Sequence, residues 1–174
     1  MKSTTCRLDR FVSQNSLFKA ADTRLLIAQK RIVVDGQPAH SIQQKITQFS
    51  HVLLDGQCLQ DKQALYLILN KPKGVVSATK DLQHITVLDL LEHPQKHQLH
   101  IVGRLDLNTT GLLLLSNDGA WSRKISLPES KLTKTYEVTL AQPITPEYVE
   151  VFRQGIYFAY EGITTQPACL EIVS

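Results

Sequence analysis

Apolar residues recur at helical spacing near the start of the chain. Leu8, Phe11 and Val12 are three and four positions apart, which predicts a short helix over residues 7–14. A second helix is predicted over residues 20–30, where small and apolar side chains share one face. Both helices would leave their basic side chains on or near the exposed side.

Two β-branched or apolar runs follow, and each ends in Asp-Gly. Residues 31–36 read Arg-Ile-Val-Val-Asp-Gly, and residues 51–56 read His-Val-Leu-Leu-Asp-Gly. Asp-Gly after an apolar run is a strong signal for a tight hairpin turn. These runs predict a small hairpin-like sheet, and the polar stretch 57–63 is predicted to be a linker.

A second set of apolar runs begins after this linker. Residues 64–69 predict a buried strand, a Pro-Gly turn follows at residues 70–74, and a strand resumes at residues 75–78. Thr86 is placed to cap a helix over residues 87–92. Residues 99–102 predict the strand that leads to the most informative part of the chain.

That part is a polar loop over residues 103–111, followed by an apolar, buried strand and an Asn-Asp-Gly turn at residues 117–119. The loop contains Arg104 and Asp106. A carboxylate held in a loop between rigid elements can act as a nucleophile or general base. A loop ion pair between Arg104 and Asp106 is the structural alternative.

The remaining pattern predicts a helix over residues 120–127, an alternating strand over 134–140, and a helix that opens at Thr145-Pro146-Glu147 and closes at Gly155. Strands are expected at residues 156–160 and 169–173. This last apolar strand would lack a following partner, and such a strand invites pairing with another chain. We therefore expect the sequence to be a fragment of a longer protein, incomplete at its C-terminus, so that any activity of the 174 residues alone is open.

Composition narrows the class of protein. With 174 residues and 43% hydrophobic content, the chain can build a packed core. It has no apolar run near membrane-spanning length and no signal-peptide pattern, so we expect a cytoplasmic protein. The 3 cysteines and 6 histidines lack the spacing of a disulfide framework or zinc site.

Positive charge is concentrated in the first third. Residues 1–60 hold 8 Lys and Arg against 4 Asp, whereas the remainder holds 11 basic against 12 acidic residues. Such asymmetry suggests that the first third contacts a polyanion, and a solvated basic surface is the alternative.

The order of motifs in that third resembles the S4 RNA-binding module. The likeness rests on Arg-Leu-Asp-Arg-Phe at residues 7–11, the second basic helix, and Ile-Val-Val-Asp-Gly at residues 32–36. In that family the helices and the adjoining loop contact structured RNA through its phosphates, which would account for the charge asymmetry.

The second region resembles the pseudouridine synthases, in particular the bacterial branch that joins an S4 module to a catalytic domain and modifies ribosomal RNA. The likeness rests on ordered motifs at residues 69–74, 103–113 with 117–119, and 134–138. Within that branch, the enzymes that act on small-subunit (16S) rRNA are the most similar.

The resemblance implies an α+β fold. A small S4-like domain of two helices and a small sheet, residues 1–60, would precede a synthase domain, residues 61–174, with a mostly antiparallel mixed sheet and flanking helices.

The resemblance also implies the catalytic residues. The family's invariant Asp corresponds to Asp106, and its motif Tyr corresponds to Tyr136. Arg104 corresponds to the family's Arg that helps to hold the target base flipped out of the RNA stack. Attack at C6 of the base or at C1′ of the ribose stays open. The reaction needs no cofactor, because uridine and pseudouridine are isomers.

The expected partner is ribosomal RNA or a small-subunit precursor particle. We expect no contact with a membrane, and we expect the protein to be a monomer. The predicted RNA-binding residues are Arg7, Arg10, Lys19, Arg24, Lys30, Arg31, Lys71 and Lys73. For Lys71 and Lys73 the alternative is that the side chain contacts only solvent. Two other functions stay open: an S4-type RNA-binding protein with an inert second domain, and a sister synthase acting on 23S rRNA.

Overall fold

A computed structural model describes residues 5–173, which form two compact units. The first extends to Leu132 and the second starts at Thr133. In the first unit, the helices are α1 (Leu8–Asn15), α2 (Thr23–Ala28) and α3 (Gly119–Ser126). Its strands are β1 (Thr5–Arg7), β2 (Ile32–Val34), β3 (Gln37–Pro38), β4 (Lys45–Thr47), β5 (Val52–Leu54), β6 (Gln57–Gln60), β7 (Tyr66–Lys71), β8 (His100–Val102) and β9 (Gly111–Ser116). The second unit contains α4 (Glu147–Gln154), β10 (Tyr157–Phe158) and β11 (Ile163–Thr164).

The predicted helical face of α1 is confirmed, since Leu8, Phe11 and Val12 are all buried. The first N–H groups of this helix are bound by main-chain oxygens: Leu8 N donates to Gln44 O at 2.9 Å. The predicted second helix is shorter than expected, with one 3₁₀ turn over Ala20–Asp22 running into α2.

Both Asp-Gly turns are confirmed. Asp55 (φ +53°) and Gly56 (φ +79°) both adopt positive φ, the combination that a two-residue hairpin turn requires. As a result the chain turns back after Gly56, and β6 pairs with β5. The prediction of a linker over residues 57–63 is therefore wrong for residues 57–60.

Two antiparallel sheets enclose the cores of the first unit. The order β3-β2-β5-β6 covers one core, which includes α1 and α2 residues such as Leu8 and Leu26. The order β7-β9-β8 covers the other, centred on Leu113 and Leu115. The fold is thus α+β with antiparallel sheets. Neither β7 nor β9 is buried on both faces as predicted, because Ile68 and Leu112 are exposed.

Two predicted elements of the first unit do not form. Residues 75–78 make only one bridge, Val76 to Thr86, and residues 87–92 form turns instead of a helix. Thr86 and Asp89 do make the reciprocal bonds of a capping box: Thr86 N donates to Asp89 Oδ2 (2.8 Å) and Asp89 N to Thr86 Oγ1 (3.3 Å). One capped turn does not propagate into a helix, because nucleation is costly and few residues follow.

In the second unit, α4 and its end at Gly155 are confirmed, whereas the strands predicted at residues 134–140 and 169–173 are wrong. Residues 134–140 alternate as a strand should, but they pair with no strand within the described part of the chain. A strand is stable only with a hydrogen-bonded neighbour, and alternation alone does not supply one.

Candidate active site

The loop between β8 and β9 holds the predicted Arg104 and Asp106. It starts at Gly103 and reaches β9 at Gly111. Gly103 has a φ of +89°, which glycine adopts with little steric strain. Inside the loop, Thr109 N donates to Asp106 O at 3.1 Å and closes a turn. Asp106 therefore opens a hydrogen-bonded turn.

Lys71 lies beneath this loop with an exposed fraction of 0%. Its Nζ donates to the main-chain oxygens of Thr109 (2.8 Å), Pro72 (3.0 Å) and Leu107 (3.3 Å). Three acceptors satisfy all the donors of the ammonium group. The structure therefore corrects the sequence-based role of Lys71: this side chain fastens the loop from inside the protein and does not reach a phosphate.

Two further groups fasten the loop. Gly74 N donates to Leu107 O at 2.9 Å. Ser77 Oγ donates to Leu105 O (2.6 Å) and accepts from Leu105 N (3.0 Å). The turn at residues 70–74 and the segment after it thus hold the backbone on both sides of Asp106.

The side chains of Arg104 and Asp106 are exposed. Within residues 5–173 neither side chain has a hydrogen-bond or ion-pair partner. The structural alternative, an ion pair between the two, is therefore not what this conformation shows. The carboxylate is free to meet a substrate, while its backbone is held.

The Asn-Asp-Gly segment after β9 leads directly into α3, so the helix predicted over residues 120–127 is confirmed. Asp118 Oδ1 accepts from Ala120 N (3.0 Å) and Trp121 N (3.1 Å), the bonds of a helix N-cap. Asp118 Oδ2 accepts from Tyr66 Oη at 2.9 Å, and the Tyr66 and Trp121 rings meet edge to face with centroids 4.9 Å apart. This motif organises the far end of β9.

Tyr136 lies in the second unit, within an irregular segment, and 59% of it is exposed. Val138 and Leu140, the neighbours two and four positions on, are also exposed. An accessible aromatic ring of this kind can stack on a base.

Two of the predicted RNA-binding arginines already have carboxylate partners. Arg31 binds Asp55 through Nε (2.7 Å) and Nη2 (2.6 Å), and its guanidinium lies 5.2 Å from the ring centre of Phe18. The hydrogen bonds from Arg31 outweigh partial desolvation and lower the pKa of Asp55. This fork links the end of α2 to the β5–β6 turn.

Arg7 is the second paired arginine, with Nη2 at 2.6 Å from Asp9 Oδ2. Partial burial would raise the pKa of Asp9, but hydrogen bonds from Arg7 and from Arg10 N–H outweigh it and lower the pKa. The other predicted basic residues of this surface expose their side chains, and so does one lysine near the loop. They are Arg10, Lys19, Arg24, Lys30 and Lys73.

Sequence reasoning missed Ser77 and Gly74 as supports of the loop. Ser77 was predicted only as part of a strand. The available signal was a single hydroxyl in the apolar run Val-Val-Ser-Ala at residues 75–78, because a buried polar side chain needs partners. In the part of the chain that the structure describes, no three His, Cys, Asp or Glu side chains come close enough to hold a metal ion. No helix in residues 5–173 is long and apolar enough to cross a membrane.

Comparison with known proteins gives consistent matches. Ribosomal small subunit pseudouridine synthase A of Pseudomonas aeruginosa is 47% identical over 166 residues, which covers 95% of this chain and 72% of the relative. The protein of that name from Escherichia coli K12 is 38% identical over 169 residues, 97% of this chain and 73% of the relative.

A solved structure titled as a pseudouridylate synthase also matches. Its TM-score is 0.61 at 34% identity, and the match covers 97% of this chain and 73% of the other. Residues 65–157, which include the loop with Arg104 and Asp106, match the family model described as RNA pseudouridylate synthase. The chain therefore belongs to the RNA pseudouridylate synthase family.

Proposed function

We propose that this protein converts one uridine of small-subunit (16S) ribosomal RNA to pseudouridine, with Asp106 as its essential group. The observation that carries the proposal is the exposed, unpaired carboxylate of Asp106 on a loop whose main chain is held by Lys71, Gly74 and Ser77. The names of the relatives support the choice of the small subunit.

The reaction requires the bond between N1 and C1′ to break, the uracil to rotate, and a bond between C5 and C1′ to form. The C5 proton leaves and N1 gains a proton, so atoms balance with no redox step and no cofactor. Asp106 attacks either C6 of the base or C1′ of the ribose, and the bond to its carboxylate breaks again before the product is released: at C1′ it is displaced by C5, and at C6 it is eliminated after the C5–C1′ bond has formed. In both routes an ionised and accessible carboxylate is required.

The target uridine has to leave its stack, which costs a few kcal/mol. Arg104, two residues before Asp106 and also exposed, is proposed to hold the RNA in the flipped conformation. Tyr136 is proposed to stack on the uracil and later to take the C5 proton. Its exposed phenol is consistent with both roles.

RNA recognition is assigned to an S4-like domain over residues 1–60, with the catalytic domain over residues 61–174. The support is that residues 5–60 hold a sheet and a core of their own. Exposed cations on this surface would contact phosphates, namely Arg10, Lys19, Arg24 and Lys30, with the paired Arg7 and Arg31 contributing less. Lys73 would contribute near the loop. We further propose that a monomer acts on ribosomal RNA or a small-subunit precursor particle in the cytoplasm.

The test is to incubate the full-length protein with 16S and 23S rRNA and with precursor particles, and to map pseudouridine in each. We expect one modified site in 16S rRNA, and loss of that modification with retained RNA binding in Asp106→Asn. Asp61→Asn, an exposed Asp of the same unit, is the matched control. Normal turnover by Asp106→Asn would refute the proposal, a site in 23S rRNA would move it to the large subunit, and RNA binding without any pseudouridine would favour a binding module.

A further inference from the structure

The side chain of Ser77 forms hydrogen bonds with both main-chain polar atoms of one residue in the active-site loop, Leu105. Its Oγ donates to Leu105 O at 2.6 Å and accepts from Leu105 N at 3.0 Å. Leu105 lies between Arg104 and Asp106, the two residues whose side chains are proposed to meet the RNA. The hydroxyl of Ser77, a residue that is 9% exposed, is therefore bound to the peptide groups on both sides of Leu105.

We propose that Ser77 is a positioning residue for the reaction: it sets the direction in which Arg104 and Asp106 project. Leu105 N belongs to the peptide group shared with Arg104, and Leu105 O belongs to the one shared with Asp106. Fixing both peptide planes restricts φ and ψ of Leu105, and so the angle between the two neighbouring side chains. The role rests on the proposed function of Asp106.

The other supports of the loop cannot take over this role. Lys71 and Gly74 bind Leu107 O, and Lys71 also binds Thr109 O, so both act after Asp106. In the described residues, Ser77 provides the side-chain hydrogen bonds to the loop before Asp106. The side chain of Leu105 also packs against the core under the sheet, but that apolar contact does not orient the peptide groups on its two sides.

The chemistry of Ser77 also suits positioning better than packing. Val75, two residues earlier, is buried in the core under the β7-β9-β8 sheet. An apolar side chain at position 77 would suit a buried site, whereas a buried hydroxyl is favourable only when it is hydrogen bonded. Both bonds of Ser77 go to the one residue that separates Arg104 from Asp106.

Ser77→Ala tests the proposal, with Ser116→Ala as a matched control. Ser116 is also buried, and its Oγ likewise donates to a carbonyl (Leu65 O, 2.7 Å) and accepts from an N–H (Asp118 N, 2.9 Å), but at the opposite end of β9 from the loop. Both variants lose a similar pair of bonds. We expect only Ser77→Ala to lower kcat, by about 10- to 100-fold, with KM for the RNA changed less than about twofold.

A second readout does not depend on activity. The Leu105 amide should exchange its hydrogen faster in Ser77→Ala than in the unsubstituted protein, and at an unchanged rate in Ser116→Ala. Ser77→Cys keeps a weak donor and acceptor of similar size, so its kcat should lie between those of Ser77→Ala and the unsubstituted protein. If Ser77→Ala does not fold, the kcat of Ser77→Cys is compared with that of the unsubstituted protein instead.

The proposal is overturned if Ser77→Ala keeps normal kcat, or if Ser116→Ala lowers kcat as much. These results are separable from failure of the proposed function. If Asp106→Asn is inactive and Ser77→Ala is fully active, only the positioning role is lost. If Asp106→Asn turns over normally, the essential role of Asp106 is wrong, and the exchange of the Leu105 amide still reports whether Ser77 holds the loop.

Discussion

The Nζ atom of Lys71 lies 2.8 Å from the main-chain oxygen of Thr109, the residue that closes the turn opened by Asp106. Lys71 is fully buried, and within the described residues the hydrogen-bond partners of its ammonium group are three main-chain carbonyl oxygens and no carboxylate. A cation in such a place is costly unless its donors are all used, and here they are. The charge of Lys71 is therefore part of the structure of the loop.

Lys71→Met keeps an unbranched side chain, one atom shorter, but removes the donors. We expect it to lower the free energy of unfolding by roughly 1–3 kcal/mol, because buried carbonyl groups lose their partners. It should also lower kcat. Urea unfolding and single-turnover kinetics measure the two effects.

Lys73→Met is the control for Lys71→Met, since Lys73 is an exposed lysine two residues away. It should leave stability unchanged and weaken RNA binding with a smaller salt dependence. If Lys71→Met behaves in the same way as Lys73→Met, the structural role of Lys71 is wrong.

Asp118→Ala should destabilise the start of α3. Loss of an N-cap costs about 1 kcal/mol, and the hydrogen bond from Tyr66 is lost with it. Trp121, which packs against Tyr66, provides a fluorescence signal for the local change. Asp118→Asn retains an acceptor for the cap and should lose less; equal losses in the two variants would contradict the capping role.

The link between Arg31 and Asp55 should make stability depend on pH in acid. Hydrogen bonding to Arg31 lowers the folded-state pKa of Asp55 from its ordinary 3.8. A lowered pKa means that the stabilisation is fully present above the unfolded-state value and is lost as the pH falls through the folded-state value.

We therefore expect the difference in unfolding free energy between the unsubstituted protein and Asp55→Asn to shrink as the pH falls below about 4. Denaturant titrations from neutral pH to acid measure it. Asp61→Asn, which changes an exposed Asp without a partner among the described residues, serves as the control. A difference that stays constant with pH would show that the pair contributes nothing.

The salt dependence of RNA affinity should differ between arginines with and without a carboxylate partner in the described residues. Arg10→Gln and Arg24→Gln should each reduce the slope of log affinity against log salt by about one. Arg31→Gln should change the slope less and cost stability, because its guanidinium is held by Asp55. Filter binding across a salt series measures this; an equal slope change for Arg31→Gln, with no stability loss, would mean that Arg31 leaves Asp55 for the RNA.

Tyr136→Phe should separate stacking from proton transfer. The ring remains, so RNA affinity should be kept, while kcat falls by about 10²- to 10⁴-fold if the phenol acts as a general base. Tyr136→Leu should in addition weaken binding of the flipped base. Tyr148→Phe, a similarly exposed tyrosine of the same unit, is the control and should be neutral. Normal kcat in Tyr136→Phe would remove the general-base role.

The sequence predicts those features that depend on residues close together in the chain. Helix α1 follows from the spacing of Leu8, Phe11 and Val12, and the hairpins follow from Asp-Gly pairs that tolerate positive φ. The loop with Arg104 and Asp106, between two strands, was also predicted, since short strands with a polar insertion are a local pattern.

Non-local relationships could not be read in the same way. Lys71 is one lysine of a turn in the sequence, and only the fold brings Thr109, 38 positions later, within hydrogen-bond distance. Likewise, the alternation over residues 134–140 shows that a strand is possible but not which strand would pair with it. The burial of Lys71 and the hydrogen bonds of Ser77 depend on the fold, and the sequence does not show which residues are their partners.

The hydrogen bonds from Lys71, Gly74 and Ser77 to the active-site loop all end on the loop's main chain: on Leu105 N and O, Leu107 O and Thr109 O. These bonds therefore do not depend on which side chains stand at positions 104 and 106. Reactive groups at positions 104 and 106 can be exchanged, for example Asp106→Cys for cross-linking to RNA, without refolding the segment that presents them. In this protein the chemistry of the site and the architecture beneath it are encoded by different residues, so each can change while the other is kept.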